Sequence, residues 1–174
     1  GGTSWQPTGD VSFMGLSFGT RDIRCKPDQP TTVFAATDDG LFRTTNSGTI
    51  WSNVLAGDAL EIEFHPDNPD TMYVVRRNGD ITEFFRSYNA GTTFTQQTTG
   101  WPSPNLGLNE HQQRTEIAVT PDAPDKVYAL ATGSADGGSG LYGVYVSADR
   151  GSTWTFQCCG PGPGGPPSST NMNL

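Results

Sequence analysis

The side chains with the most chemical capability fall in two stretches. Residues 96–114 contain Trp101, Glu110, His111 and Arg114, and the glycine-rich run 132–140 contains Asp136. Trp101 offers an aromatic plate on which a sugar ring or a partner's side chain could stack, and its plainer role is to pin its own loop. Glu110 and His111 could act as acid or base. A solvated polar loop is the plainer account of them, because no second member of a catalytic constellation can be set beside them. Asp136 among glycines could approach a calcium ion, but one carboxylate is far short of the about six to eight oxygen ligands that calcium takes. No metal and no cofactor is expected.

The chain that must position these residues has 174 residues, with 18 Asp and Glu against 10 Lys and Arg for a net charge of −8. Such an acidic chain has no basic stripe to neutralise phosphates, so nucleic acid and anionic membrane surfaces are poor partners. No apolar stretch is long enough to span a bilayer, and the opening Gly1-Gly2-Thr3-Ser4-Trp5 lacks signal-peptide character, which suggests a mature protein or a piece of one. Gly 22 and Pro 13 together make about a fifth of the chain and favour many turns between short strands. Of the three cysteines, Cys25 reads as a small buried hydrophobe on a strand. Cys158 and Cys159 adjoin a Pro/Gly-rich run and could pair with each other, pair elsewhere or stay reduced.

A repeat organises the rest. The pattern P-D-x-P-x-x-[V/M]-[F/Y] occurs from Pro27 to Phe34, from Pro66 to Tyr73 and from Pro121 to Tyr128. Each copy follows an alternating apolar run (Ile23 and Cys25, Ile62 and Phe64, Ile117 and Val119) and precedes a second strand that begins at the aromatic. Proline cannot donate to a β-ladder, so the P-D-x-P segment is expected to be the connection between the two strands. A second motif follows each copy: Thr44 to Trp51 with Asn46 and Gly48, Ser87 to Phe94 with Asn89 and Gly91, and Ser147 to Trp154 with Asp149 and Gly151. Gly2 to Trp5 match its second half. The glycines at 2, 48, 91 and 151 are spaced by 46, 43 and 60 residues, the scale of one four-stranded propeller blade.

In this second motif an Asn or Asp side chain can accept bonds from amides just ahead of it, while the Gly two places on takes positive φ. The expected fold is all-β, a β-propeller fragment of about three blades with these turns between strands C and D. Residues 1–22 would be the end of a preceding blade and its D–A link, 23–60 a blade, 61–115 a blade plus a long loop that runs through Arg114, 116–157 a blade whose B–C loop contains 132–140, and 158–174 a Cys/Pro/Gly-rich link into a following blade. A–B and C–D connections share one end of an antiparallel blade, so the two motifs lie on one face and the variable connections on the other. The variable face is the natural binding candidate.

The pattern S-x-D-x-G-x-T-W, matched at every fixed position from Ser147 to Trp154, resembles the Asp-box, or BNR repeat, of sialidases, sortilin-type receptors and secreted bacterial propellers. The other copies depart from it, with Asn46 and Asn89 for Asp, Thr44 for Ser, Ile50 for Thr and Phe94 for Trp. The P-D-x-P element is similar to that of sortilin-like extracellular propellers, many of them predicted type IX secretion cargo. The resemblance implies a secreted or cell-surface location, Asp-box residues that stand away from the ligand, and further blades of the same propeller as partners. A sialidase-like site needs an arginine cluster, a tyrosine nucleophile backed by glutamate, and an acid. Arg21, Arg24, Arg76, Arg77 and Arg114 are numerous enough, but no motif marks them as that cluster, and a xyloglucanase-like site built on two Asp residues lacks a motif for the same reason. A non-catalytic protein- or glycan-recognition module is therefore the first expectation and a glycoside hydrolase the second.

Overall fold

The computed structural model describes residues 2–6, 19–104, 111–135 and 138–158. Twelve strands form three four-stranded antiparallel sheets in which neighbours in sequence are neighbours in space. The first sheet holds β1 (Thr20–Lys26), β2 (Gln29–Thr37), β3 (Gly40–Thr44) and β4 (Ser52–Ala56). The second holds β5 (Asp58–Phe64), β6 (Met72–Asn78), β7 (Ile81–Ser87) and β8 (Thr95–Gln97). The third holds β9 (His111–Val119), β10 (Val127–Ala135), β11 (Gly138–Ser147) and β12 (Thr155–Cys158). The first strand β5 touches both β1 and β9 across sheets, so the blades converge on that edge. This is a β-propeller arrangement of three blades.

Two apolar layers hold the blades together. Between the first and second, Phe34, Ala36 and Leu41 meet Ile62, Phe64, Met72, Val74 and Phe85. Between the second and third, Tyr73, Val75, Phe84 and Trp101 meet Ile117, Val127, Ala129, Tyr145 and Trp154. Strand alternation explains this division: on β6, Met72 and Val74 face one neighbour while Tyr73 and Val75 face the other. Each interior strand is thus apolar on both sides, as a sheet sandwiched between two others requires.

The turn between the third and fourth strand is built identically in all three blades. The Thr44, Ser87 and Ser147 hydroxyls accept from the amides of Gly48, Gly91 and Gly151 at 3.1, 3.0 and 2.7 Å. The side-chain oxygens of Asn46, Asn89 and Asp149 accept from the amides of Ile50, Thr93 and Thr153 at 2.9, 2.9 and 2.8 Å. Asn replaces Asp without loss because the carbonyl acceptor is kept. The glycines have φ of 87°, 69° and 79°, and Gly2 has 84°. The residue before each of the three also enters the left-handed region, at 56° for Ser47, 53° for Ala90 and 59° for Arg150, which the glycine spacing alone does not reveal. That residue's amide donates to the carbonyl of Thr31, Asp70 or Asp125, each time at 2.9 Å, tying this turn to the P-D-x-P turn of its own blade. Turn and neighbour are interlocked as well. A Cβ on Gly91 would lie 2.4 Å from the Phe34 ring, and one on Gly151 would lie 2.3 Å from the Phe84 ring.

Three expectations need correction. Pro30 lies inside β2, not in a connection, because Lys26 pairs directly with Gln29. The register then shifts before Cys25 pairs with Val33, and proline is tolerated in such an irregularity because no ladder amide is required of it. Cys25 is exposed, not buried, since no described residue covers its side of β1. Residues 132–140 are not an open loop: β10 and β11 pair as far as Ala135 with Gly138, and Asp136 lies outside the described residues. Cys158 is disulfide-bonded.

The bond pattern predicts the energetics of the turn. Asp149→Ala removes two acceptor oxygens that serve the Thr153 amide and hydroxyl and should cost about 1–3 kcal/mol. Asp149→Asn, the residue at the two equivalent positions, should cost under about 1 kcal/mol in urea unfolding of the same chain. Equal losses for both variants would contradict this account of the turn.

Candidate functional site

Two groups of polar side chains stand out, one along the converging edge and one on the face of the variable connections. On the edge, Asp22, Glu61 and Glu116 occupy the same repeat position, immediately before Ile23, Ile62 and Ile117. Arg24 lies 3.0 Å from Asp22, 3.1 Å from Glu63 and 3.6 Å from Glu61. Arg114 pairs with Glu116 and lies 3.7 Å from Glu61. Two guanidinium groups therefore bridge one carboxylate per blade.

Glu61 is the unusual member. Its side chain is buried, and burial, a hydrogen bond with Glu116 and the charges of Glu116 and Asp22 push its carboxyl up to about 8 despite Arg24. Burial also acts to raise Glu116, but its bonds with Glu61 and Arg114 and the arginine charges outweigh that and hold it below the usual range. Burial raises Glu63 as well, partly offset by Arg24. The two carboxyls titrate as a coupled pair in which the surroundings favour the protonated form of Glu61 and the charged form of Glu116. The carboxyl groups are in hydrogen-bond contact, much closer than the about 5–9.5 Å that separates the two carboxyls of a glycosidase.

On the variable face, Asp58 sits between Arg21 at 2.8 Å and Arg77 at 2.6 Å, and Arg21 reaches Asp38 at 2.7 Å. His111 Nδ1 lies 3.3 Å from Asp80. Behind this rim, Gln112 is buried. Its Oε1 accepts from the amide and hydroxyl of Thr82 at 2.9 and 3.1 Å, and its Nε2 donates to the Pro102 carbonyl at 3.2 Å.

The sequence candidates separate accordingly. Trp101 belongs to the interblade core. It is 9% exposed, its Nε1 donates to the Thr82 carbonyl at 2.8 Å, and its ring lies 5.2 Å from Phe84 and 4.8 Å from Trp154. Neither face is open to a sugar. His111 stands on the variable face and begins β9, while Arg114 belongs to the converging edge, so the two are not brought together. Glu110 and Asp136 lie outside the described residues. Sequence reasoning named Arg24 only among five arginines that no motif marks, and did not single out Asp22, Glu61, Glu63 or Glu116, although aligning the three repeats on their Ile residues would have shown an acid at one register in every blade.

Among solved structures the chain is similar to an ancestral GH74 enzyme, with a TM-score of 0.68 and 19% identity over 91% of its length. It is also similar to the GH74 xyloglucanase from Xanthomonas campestris (TM-score 0.61, 12% identity, 80% of this chain) and to YCF48 from Cyanidioschyzon merolae (0.51, 14%, 84%). YCF48 has also been solved bound to D1 peptide. The chain spans 20%, 21% and 39% of the first three. At these identities the likeness concerns the fold, which is that of β-propeller proteins. No protein-family model and no curated protein matches the sequence.

The raised Glu61 gives a pH test. Its folded value lies above its ordinary 4.5, so the folded chain keeps a proton that the unfolded chain has released. Its contribution must then fall as pH rises from about 4.5 to about 8 and level off above that. Glu61→Gln should therefore melt higher than the wild-type chain at pH 8–9, and the difference should shrink toward pH 5. A difference in melting temperature that does not change with pH would contradict the assignment.

Proposed function

We propose that this chain is a sector of a larger extracellular or cell-surface β-propeller that recognises a protein or glycan through the face of its variable connections. Its turns are of the Asp-box kind found in sortilin-like and sialidase-like secreted propellers, and type IX secretion is the export route that fits them. The observation that carries this reading is the contrast between faces. The motif face commits its turn groups to bonds within each blade, in the same pattern each time. The opposite face carries ion pairs that differ from blade to blade, Arg21–Asp38 and Arg77–Asp58 in one place and His111–Asp80 in another. Recognition concentrates on such irregular surfaces held by a rigid scaffold. A solved YCF48 structure bound to a peptide supports a protein partner.

A glycoside hydrolase is the second reading, favoured by the GH74 neighbours. It requires a separated carboxyl pair that Glu61 and Glu116 do not form, so the catalytic groups would have to include residues other than these two. Glycan-array binding and pull-down, run beside hydrolysis assays on sialosides and β-glucans, separate the two. Binding without turnover, weakened several-fold by Arg77→Ala with His111→Ala, is the expected result. Turnover that disappears in Glu110→Gln or Asp136→Asn would overturn it in favour of the hydrolase.

A further inference from the structure

The third strands of the first two blades each carry an arginine that reaches into the next blade, and the two arginines are differently engaged. In the second blade, Arg86 Nη1 donates to the Arg150 carbonyl and the Ser152 hydroxyl, each at 2.7 Å, and Nη2 reaches Gln97 Oε1 at 3.5 Å. The Tyr88 ring stacks on its guanidinium, 4.5 Å away. Arg43, its equivalent in the first blade, donates from Nη1 to the Thr92 hydroxyl at 3.2 Å and lies 5.9 Å from the Phe34 ring. Its Nε is buried and has no hydrogen-bond partner among the described residues.

Two substitutions between the repeats account for the difference. Tyr88 follows Ser87 in the second blade, whereas Thr45 follows Thr44 in the first. Arg86 pairs with Thr95 and Arg43 with Ser52, and two residues beyond these partners stand Gln97 and Val54. The first blade therefore lacks both the ring that stacks on the arginine and the amide oxygen that accepts from it. A cavity of about 350 Å³ lies at this place, lined by Arg43, Thr45, Asn46, Ile50, Ser52 and Val54. That is the small end of the range for ligand pockets. Val54 packs on the apolar layer shared with the second blade, so the cavity belongs to an interior junction. Arg43 is the one charged residue in the lining.

We propose that this cavity binds an aromatic carboxylate whose ring and carboxyl group are joined by a short flexible arm. The ring stacks on the Arg43 guanidinium as Tyr88 stacks on Arg86, with Ile50 and Val54 as apolar contacts. The carboxylate accepts from Arg43 Nε, and the hydroxyls of Thr45 and Ser52 are further donors. Arginine suits both tasks, because its flat cation attracts a ring to its face and donates hydrogen bonds in its own plane. A carboxylate is favoured over a neutral acceptor because the lining carries a single positive charge and no acid. The site stands beside the motif turn of the first blade, so this inference does not rest on the recognition reading, which uses the opposite face.

Titration of the full chain with N-acetyl-tyrosine, followed by proton–nitrogen correlation NMR of the arginine Nε–H and backbone amide groups, tests it. Saturable shifts are expected at Arg43 Nε–H and at the amides of Thr45 and Ser52. Binding should weaken several-fold for N-acetyl-tyrosinamide, which lacks the carboxylate, and for N-acetyl-alanine, which lacks the ring. Arg43→Lys should weaken it several-fold as well, because an ammonium keeps the charge and loses the plane. Thr45→Tyr combined with Val54→Gln gives the first blade the second blade's own residues. That variant should abolish binding and raise the melting temperature by about 2–4 °C, and because it keeps Arg43 it decides the matter if Arg43→Lys fails to fold. Shifts that do not saturate, equal affinity for either control compound, or binding that survives in the Thr45→Tyr, Val54→Gln variant would overturn the proposal. Failure of the recognition reading leaves this test unaffected, since none of its residues lies on that face.

Discussion

The structure depends on how the backbone is held where the third strand of each blade turns into the fourth. Two consecutive residues there adopt left-handed conformations, and the second is always glycine. Such a turn is stable only if its amides find acceptors, and it recruits them from two side chains two residues apart, a Ser or Thr and an Asn or Asp. Once set, the turn does two more things. It donates an amide to the neighbouring P-D-x-P connection, and it presents a glycine flat enough for a ring from the preceding blade to lie against it. Local hydrogen bonding and interblade packing are therefore coupled, because a side chain at that glycine would both strain the turn and displace Phe34 or Phe84.

Around this element the blades are joined in layers of different chemistry. Apolar and aromatic side chains fill the middle, where Phe84, Trp101 and Trp154 make mutual ring contacts at 4.8 to 5.2 Å. Cationic side chains bridge the blades on the motif face: Arg43 donates to Thr92, and Arg86 donates to the Arg150 carbonyl and the Ser152 hydroxyl. The converging edge carries the carboxylates and arginines of the first strands. Crowding acids there is costly, and the molecule offsets it by setting arginines among them, in surroundings that favour the protonated form of Glu61. That edge resembles a titrating element more than a hydrolytic one, because its two coupled carboxyls already satisfy each other.

Much of this was legible in the repeats. The strand pairs, the turn chemistry, the two distinct faces and the interblade role of Trp154 follow from spacing and residue type. Function was less legible, for a physical reason. Trp101 and His111 look alike in sequence, as chemically capable residues in one long connection, yet the indole N–H finds a buried carbonyl while the imidazole stays at the rim beside Asp80. Arg114 was read as part of a loop, whereas β9 begins at His111 and carries it to the converging edge.

The sequence by itself determined that the chain is all-β, that it repeats, and where the turns between third and fourth strands fall, because each such turn depends on groups within about ten residues of one another. Only the tertiary structure decided which face each side chain serves. Burial of Trp101, the coupling of Glu61 with Glu116, and the exposure of Ile23 and Cys25 all depend on what a neighbouring blade places opposite. Cys25 and Phe64 occupy the same repeat position, and one is exposed while the other is buried because a described blade covers only the second.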